Sequence, residues 1–288
     1  MEKHRDMGTI PPPVPQQQRR RQGWTSSLFR RCLVAVCICL ALFSLFHRHH
    51  IPQKYVDRVN TKIPLEIHIM SKCPDAQACL QKLIVPTMEK VSDKVDFRIS
   101  FIGSASPNSS SVACLHGPGE CIGNLLILCA ANLPYPPREP EDTTTKLTTS
   151  FKTTPTVRYL GFTNCMISQY KKIPSRALVE DCALEYGISF KALNACGSRQ
   201  NDEGEGFNQD NDHYDDNDPN QPSGLALLRK SFKRSAELGV TKSCTVRLDK
   251  KTWCIRDGGE WTSCGDGNER SSVPALKTEI ERLWKERN

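Results

Sequence analysis

An α/β domain cross-linked by disulfides is predicted for this chain, and three observations carry the prediction. First, Pro64–Met70 alternates Leu65, Ile67 and Ile69 with polar neighbours, the period-two pattern of a strand, and Val95–Ile102 reads as a second strand. Second, Leu80, Leu83, Ile84 and Met88 recur between them at helical spacing. This helix follows Ser71-Lys72-Cys73-Pro74-Asp75, where proline suits a first helical turn and aspartate complements a helix N-terminus. Third, the chain has 14 cysteines, of which eleven lie in the body, at 73, 79, 114, 121, 129, 165, 182, 196, 244, 254 and 264. That density reads as disulfides formed in an oxidising compartment. Strand, cysteine at a helix start, helix, strand is the opening of a thioredoxin-like fold.

The segments ahead of the first strand read as leader and anchor. Residues 1–31 hold Lys3, Arg5, Arg19, Arg20, Arg21, Arg30 and Arg31 against Glu2 and Asp6, a net of +5 within the chain's formal +7. This polar stretch buries too little apolar surface to fold and is predicted to be a disordered cytosolic tail. Because the basic charge lies there and not on the folded body, nucleic-acid binding is excluded. Residues 32–46, CLVAVCICLALFSLF, are nearly all apolar and are predicted to be a transmembrane signal anchor, followed by a linker over 47–63. Basic residues stay cytosolic, so the body over 64–286 is expected in the lumen. The short span suits a thin early-secretory bilayer. The expected product is a single-pass type II protein of the endomembrane system, between the ER/Golgi and a lysosome or vacuole. Cleavage of the run as a signal peptide would instead make the body secreted.

Within the body, Cys73 opens the first helix. The dipole and unpaired amides of a helix N-terminus stabilise a thiolate, which favours both nucleophilic attack and departure. Eleven is an odd number, so at least one body thiol is unpaired or bridges chains. A zinc site is not expected, because C-x2-C pairs are missing and the body's histidines are few: His68, His116 and His213.

The densest motif runs from Cys114 to Cys129, CLHGPGECIGNLLILC. It reads as a Gly-Pro-Gly turn leading into an apolar helix. Cys114 and Cys121 flank the turn within bridging reach, whereas Cys121 and Cys129 lie too far apart along one helix to pair. The fixed positions Cys114, His116, Gly117, Glu120, Cys121, Asn124 and Cys129 resemble the signature of the gamma-interferon-inducible lysosomal thiol reductase (GILT) family. Leu115 stands where that signature has glutamine. The resemblance continues through Phe162–Cys165, Cys182 and Ala195–Gly197, similar to the family's cysteine-bearing helical insertion, with helices expected over Val179–Tyr186 and Ile188–Ala195. A helix from Gly224 to about Leu238, a returning loop and strand over Gly239–Leu248, a hairpin turn at Lys250-Lys251 and a closing helix over Val273–Lys285 complete it. Two insertions, 134–156 and 202–222, are Pro/Thr-rich and acidic and are predicted to be loop. The resemblance implies a disulfide-stapled thioredoxin-like fold with a helical insertion and a thiol-reductase activity in a lumen. Cys114, Cys121, Cys129, Cys165, Cys182, Cys196, Cys254 and Cys264 are the structural-disulfide candidates.

Two departures from the family bear on catalysis. Relatives carry Cys-x-x-Cys at the first helix; here the resolving position is Ala76, and the next cysteine, Cys79, lies six residues on. Along a regular helix that is about 9 Å, beyond the ~7 Å a disulfide spans. Relatives also place a cis-proline in the returning loop, where this chain has Ser243-Cys244, so a trans or rearranged loop is expected. Cys244 is then predicted either to face Cys73 as a partner across the site or to pair with Cys254 or Cys264.

Two functions follow. One is a lumenal thiol–disulfide oxidoreductase, in which Cys73 attacks protein disulfides and Cys244, Cys79 or a small thiol such as glutathione resolves the adduct, with no bound cofactor or metal. The other is a redox-inactive module that binds cysteine-containing clients. Lesser features are the sequon Asn108-Ser109-Ser110, expected to be glycosylated, His116, read as a turn residue more than as a base, and the acidic run from Asp202, which lacks calcium-loop spacing.

Overall fold

The computed structural model of the chain describes residues 31–40, 42–43, 61–135, 152–199, 223–264 and 268–288. The chain divides into two units, residues 1–58 and 59–288. In the first, residues 31–40 and 42–43 are helical, and Leu33, Val34, Val36, Ile38, Leu40, Leu42 and Phe43 are exposed. Among the described residues no helix is long and apolar enough to cross a membrane. The expected anchor over 32–46 lies partly outside those residues, and the acidic insertion over 202–222 lies wholly outside them.

The second unit is built on strands β1 (Ile63–Ile69) and β2 (Val95–Phe101), which pair in parallel. A parallel pair needs a crossover, and the helical segment from Pro74 to Val91 supplies it as α1 (Pro74–Cys79), a π turn (Leu80–Ile84) and α2 (Val85–Val91). The π turn sits just ahead of Pro86, which has no N–H to give to the preceding turn; the amide of Val85 reaches back to Leu80 O. After β2 come the short pair β3 (Ser104–Ala105) and β4 (Val112–Ala113), helix α3 (Pro118–Asn132), and the pair β5 (Pro134–Tyr135) and β6 (Lys152–Thr153). The expected loop over 134–156 is therefore corrected at its two ends, where backbone pairing closes a neck.

Helices α4 (Thr156–Ser168), α5 (Arg176–Glu185), α6 (Phe190–Ser198) and α7 (Gly224–Glu237) follow. The chain then returns to the sheet with β7 (Thr245–Leu248), β8 (Lys251–Asp257) and β9 (Glu260–Thr262), and ends in α8 (Val273–Arg287). Asp249 and Lys250 both have positive φ between β7 and β8, as a two-residue type I′ turn demands. The sheet order is β2-β1-β7-β8-β9, with every pair after β2–β1 antiparallel. Its first four strands, with helices after β1 and at the chain end, make the fold thioredoxin-like, with α3 to α7 inserted between β2 and β7.

β1 is the middle of the core and both of its faces are covered. Alternation turns Leu65, Ile67 and Ile69 to one face and Glu66 and His68 to the other. Helix α7 meets the second face with polar groups. Arg234 clasps Glu66 through Nε and Nη2 at 2.9 Å each, and Ser235 Oγ lies 2.9 Å from His68 Nδ1. Ser100 Oγ also donates to Glu66, at 2.8 Å. Burial on its own would raise the Glu66 carboxyl. The Arg234 and Ser100 bonds and the nearby imidazole outweigh it and hold the group well below the usual carboxylate range. His68 Nε2 is 3.6 Å from Glu66 Oε1, too far for a hydrogen bond, so its influence is electrostatic.

Candidate active site

The site forms where β1 ends. β1 and β7 run antiparallel with His68 opposite Thr245, so the next step of the register sets Cys244 beside Ile69 and the loop that leads to α1. Cys73 is the residue preceding α1, with extended backbone, and Pro74 occupies the first helical position. Its thiol is buried, 9% exposed, and is the only unpaired body cysteine among the described residues. Cys73 Sγ lies 3.6 Å from the carbonyl oxygen of Ser243, to which the thiol donates. Ser243 Oγ in turn accepts the Met70 N–H at 2.9 Å. The returning loop thus grips the cysteine loop at both ends of one residue.

Two expectations about this loop are corrected. The Ser243–Cys244 peptide is cis although no proline is present. The loop is tethered on all sides: Cys244 exchanges both backbone hydrogen bonds with Arg256, at 3.0 and 2.8 Å, and its side chain is bonded to Cys79. The second correction concerns that bond. Cys244 pairs neither with Cys73 nor with Cys254 or Cys264; it forms a disulfide with Cys79 across a Cα separation of 6.3 Å, and both are fully buried. Chain spacing carries no trace of a contact made across 165 residues by strand pairing. Cys254 instead bridges to Cys264.

The Cys114–Cys129 motif closes the other side. Gly117, at φ +84°, occupies the N-cap position of α3, a left-handed conformation that glycine adopts without strain. Cys114 and Cys121 bridge across this turn, with Cα atoms 5.6 Å apart. Glu120 is completely buried. Its Oε2 accepts the Lys72 N–H at 3.2 Å and lies 2.6 Å from His116 Nδ1, while Oε1 accepts the His116 N–H at 3.2 Å. One turn on, Asn124 Oδ1 accepts the Ser71 N–H at 3.0 Å, and its amide nitrogen faces Cys114 Sγ at 3.7 Å. Ser71 Oγ donates to Glu120 O at 3.2 Å. The motif residues therefore hold the backbone of Ser71 and Lys72, immediately ahead of Cys73. His116 is a positioning partner of Glu120.

Sequence reasoning passed over several contributors. Gly123 is not among the motif's fixed positions, yet a Cβ there would stand 2.4 Å from Ile173 Cγ2 and 2.8 Å from Ser71 Oγ. Asp75 does more than complement the helix terminus: it accepts the Gly259 N–H at 3.0 Å and lies 3.3 Å from Arg256 Nε, an ion pair without hydrogen-bond alignment. Arg256 is the residue whose backbone holds Cys244. The insertion is stapled by Cys129–Cys196, joining α3 to α6, and Cys165–Cys182, joining α4 to α5. Asn108 lies exposed in the loop between β3 and β4. Among the described residues no group of three His, Cys, Asp or Glu side chains is arranged to hold a metal.

Residues 64–186 match the family model described as gamma interferon inducible lysosomal thiol reductase (GILT). Over this segment the chain is similar to the GILT family. The match spans β1 to the end of α5 and so includes Cys73, Cys79 and the whole motif, while Cys244 lies beyond it. No curated protein sequence matches the chain. Among solved structures, similarity is found to alpha-DsbA1 of Wolbachia pipientis, at 12% identity over 78% of this chain and 87% of that one, with a TM-score of 0.39. The thiol-disulfide oxidoreductase MdbA of Corynebacterium diphtheriae gives 12%, 79%, 85% and 0.39. A putative protein disulfide isomerase of Nitrosomonas europaea gives 11%, 79%, 100% and 0.40. Within the matched segment Glu120 and Asn124 reach the backbone just ahead of Cys73, His116, Gly117 and the Cys114–Cys121 bridge shape the turn that presents them, and Cys129 ties α3 to α6.

Proposed function

We propose that the protein is a thiol–disulfide oxidoreductase whose nucleophile is Cys73 and whose substrates are disulfide-containing proteins. One observation carries this: the free thiol stands at a helix start against the Ser243 carbonyl, on a loop that Glu120 and Asn124 hold through its backbone. The Cys73 thiolate attacks one sulfur of a client disulfide. A bond forms between the two sulfurs, the client S–S bond breaks, and the second client sulfur leaves as a thiolate and takes up a proton. A small thiol such as glutathione then attacks the Cys73 sulfur and releases the client's first thiol. A second small thiol frees Cys73 and leaves as a disulfide. Two electrons pass from small thiols to the client, and no bound cofactor is needed.

The reading places the domain in the lumen of the endomembrane system, anchored by residues 32–46 with the basic leader cytosolic and Asn108 glycosylated. Five disulfides and the charge distribution support it. The test is reduction of a disulfide-bonded protein by the full-length chain with glutathione or dithiothreitol, wild type against Cys73→Ser. Activity dependent on Cys73, with a client adduct on Cys73 seen by mass spectrometry, is expected. No activity in either protein from pH 4.5 to 7.5 would leave a client-binding module, the reading that Ala76 in the resolving position favours.

A further inference from the structure

Of the three sulfurs gathered at the site, Cys73 is 9% exposed, while Cys79 and Cys244 are completely buried and joined to each other. Cys73 Sγ touches the carbonyl of the residue bonded to Cys244. Cys79 is six residues further along the helix from Cys73, and Cys244 is bonded to Cys79 and directly follows Ser243, whose carbonyl the Cys73 thiol meets. We propose that Cys73, Cys244 and Cys79 form a three-cysteine relay, in which Cys244 resolves adducts on Cys73 and Cys79 stores the resulting disulfide. The proposal rests on the reading of Cys73 as the nucleophile and supplies the resolving thiol that Ala76 does not.

The relay balances at every step. With Cys79 and Cys244 reduced, Cys73 captures a client as above. The Cys244 thiolate then attacks the Cys73 sulfur; the Cys73–Cys244 bond forms, and the client leaves as a protonated thiol. The Cys79 thiolate next attacks the Cys244 sulfur; the Cys79–Cys244 bond forms and the electron pair returns to Cys73, which takes up a proton. This end state is the one in the structure. The client has gained two electrons and the Cys79/Cys244 pair has lost two. Reduction runs the same path backwards. Cys73 attacks Cys244 and expels Cys79, a small thiol attacks the Cys73 sulfur and releases Cys244, and a second small thiol frees Cys73 and departs as a disulfide. The consequence is specific: a buried disulfide exchanges electrons with solvent through Cys73, because neither of its own sulfurs meets solvent.

The decisive experiment follows Cys79–Cys244 itself and involves no client. Full-length protein is held in glutathione or dithiothreitol without denaturant, alkylated at intervals and mapped by non-reducing peptide mass spectrometry. In the wild type Cys79–Cys244 opens before the other four disulfides. In Cys73→Ser, with those four intact as proof of folding, its opening slows by about tenfold or more, since the attacking thiol is gone. Equal opening rates in the two proteins overturn the relay. Cys79→Ser tests the intermediate: a Cys73–Cys244 disulfide is expected in its map, and free thiols at both positions after exposure to oxidised glutathione overturn the proposal. Should Cys79→Ser not fold, the rate comparison between wild type and Cys73→Ser still decides. Failure of client capture with the relay intact removes the oxidoreductase reading alone; client capture with equal opening rates removes the relay alone.

Discussion

Sulfur is used in two ways in this domain, and the helical insertion and the start of α1 show the contrast. In the insertion, Cys129–Cys196 and Cys165–Cys182 each join two helices that already pack together, with Cα separations of 6.0 and 5.7 Å. Every cysteine there is paired, so no thiol is present to start an exchange. Around α1, a disulfide of similar span starts from its last residue, Cys79, while a free thiol, Cys73, stands ahead of its first. The staples restrain segments; the disulfide at the site has a neighbour that can react with it. Cys114–Cys121 lies between the two cases, close to the site yet serving the turn that presents Glu120.

Breaking the staples should give the largest loss of stability. In the chain-entropy account a disulfide stabilises more the longer the loop it closes. Cys129 and Cys196 are 67 residues apart and Cys165 and Cys182 are 17 apart. Replacing both members of the first pair by serine should lower unfolding free energy by about 4 kcal/mol, and of the second by about 3 kcal/mol. Urea unfolding measures both. The rate at which the remaining folded molecules capture a client should stay near wild type; a matching loss of capture would erase the distinction between staple and site.

Glu120 sharpens the same contrast, since it joins the motif to the thiol loop without sulfur. Glu120→Ala leaves the N–H groups of half-buried Lys72 and of His116 without their acceptor, at a cost of about 1–3 kcal/mol. The test of its positioning role is kinetic. Glu120→Gln keeps an acceptor oxygen and should restore most of the stability, and with it most of the maximal rate. Glu120→Ala, assayed at a temperature where it is folded, should lower kcat more than it raises KM. Equal kcat values for both variants would reduce Glu120 to a packing residue.

How much of this was legible before the structure divides along chain separation. Both core strands, the helix after Cys73, the apolar helix after the Gly-Pro-Gly turn and the closing helix follow from local periodicity, and all are present. The motif cysteines flanking Gly117 were readable as a pair because only seven residues separate them. The Cys79–Cys244 bond was not, because it depends on β7 pairing with β1 and on the register of that pairing. The cis peptide at Ser243–Cys244 escaped because sequence reading knows cis geometry chiefly through proline. The purpose of Glu120 and Asn124 was equally hidden: a motif shows which residues recur together, whereas their target, the backbone of Ser71 and Lys72, carries no side-chain signal.

The smallest effect concerns the opposite face of β1, where charge replaces sulfur as the link between sheet and helix. The nearby His68 imidazole and the hydrogen bonds from Arg234 and Ser100 outweigh burial and hold Glu66 below its ordinary value of 4.5, so the folded state binds this proton less readily than the unfolded chain. A lowered carboxyl gives stability that is complete above that ordinary value and is lost as pH falls from it toward the lowered one. Glu66→Gln should therefore cost about 1–2 kcal/mol at pH 7, toward the low end because the Arg234 side chain is 40% exposed and shares the pairing with water. Below pH 4.5 the gap between the two proteins should narrow, since only the wild type has this contribution to lose. Unfolding curves at pH 7, 4.5 and 3 measure it. A gap that stays constant across that range would mean that Glu66 holds α7 to β1 by its shape and not by its charge.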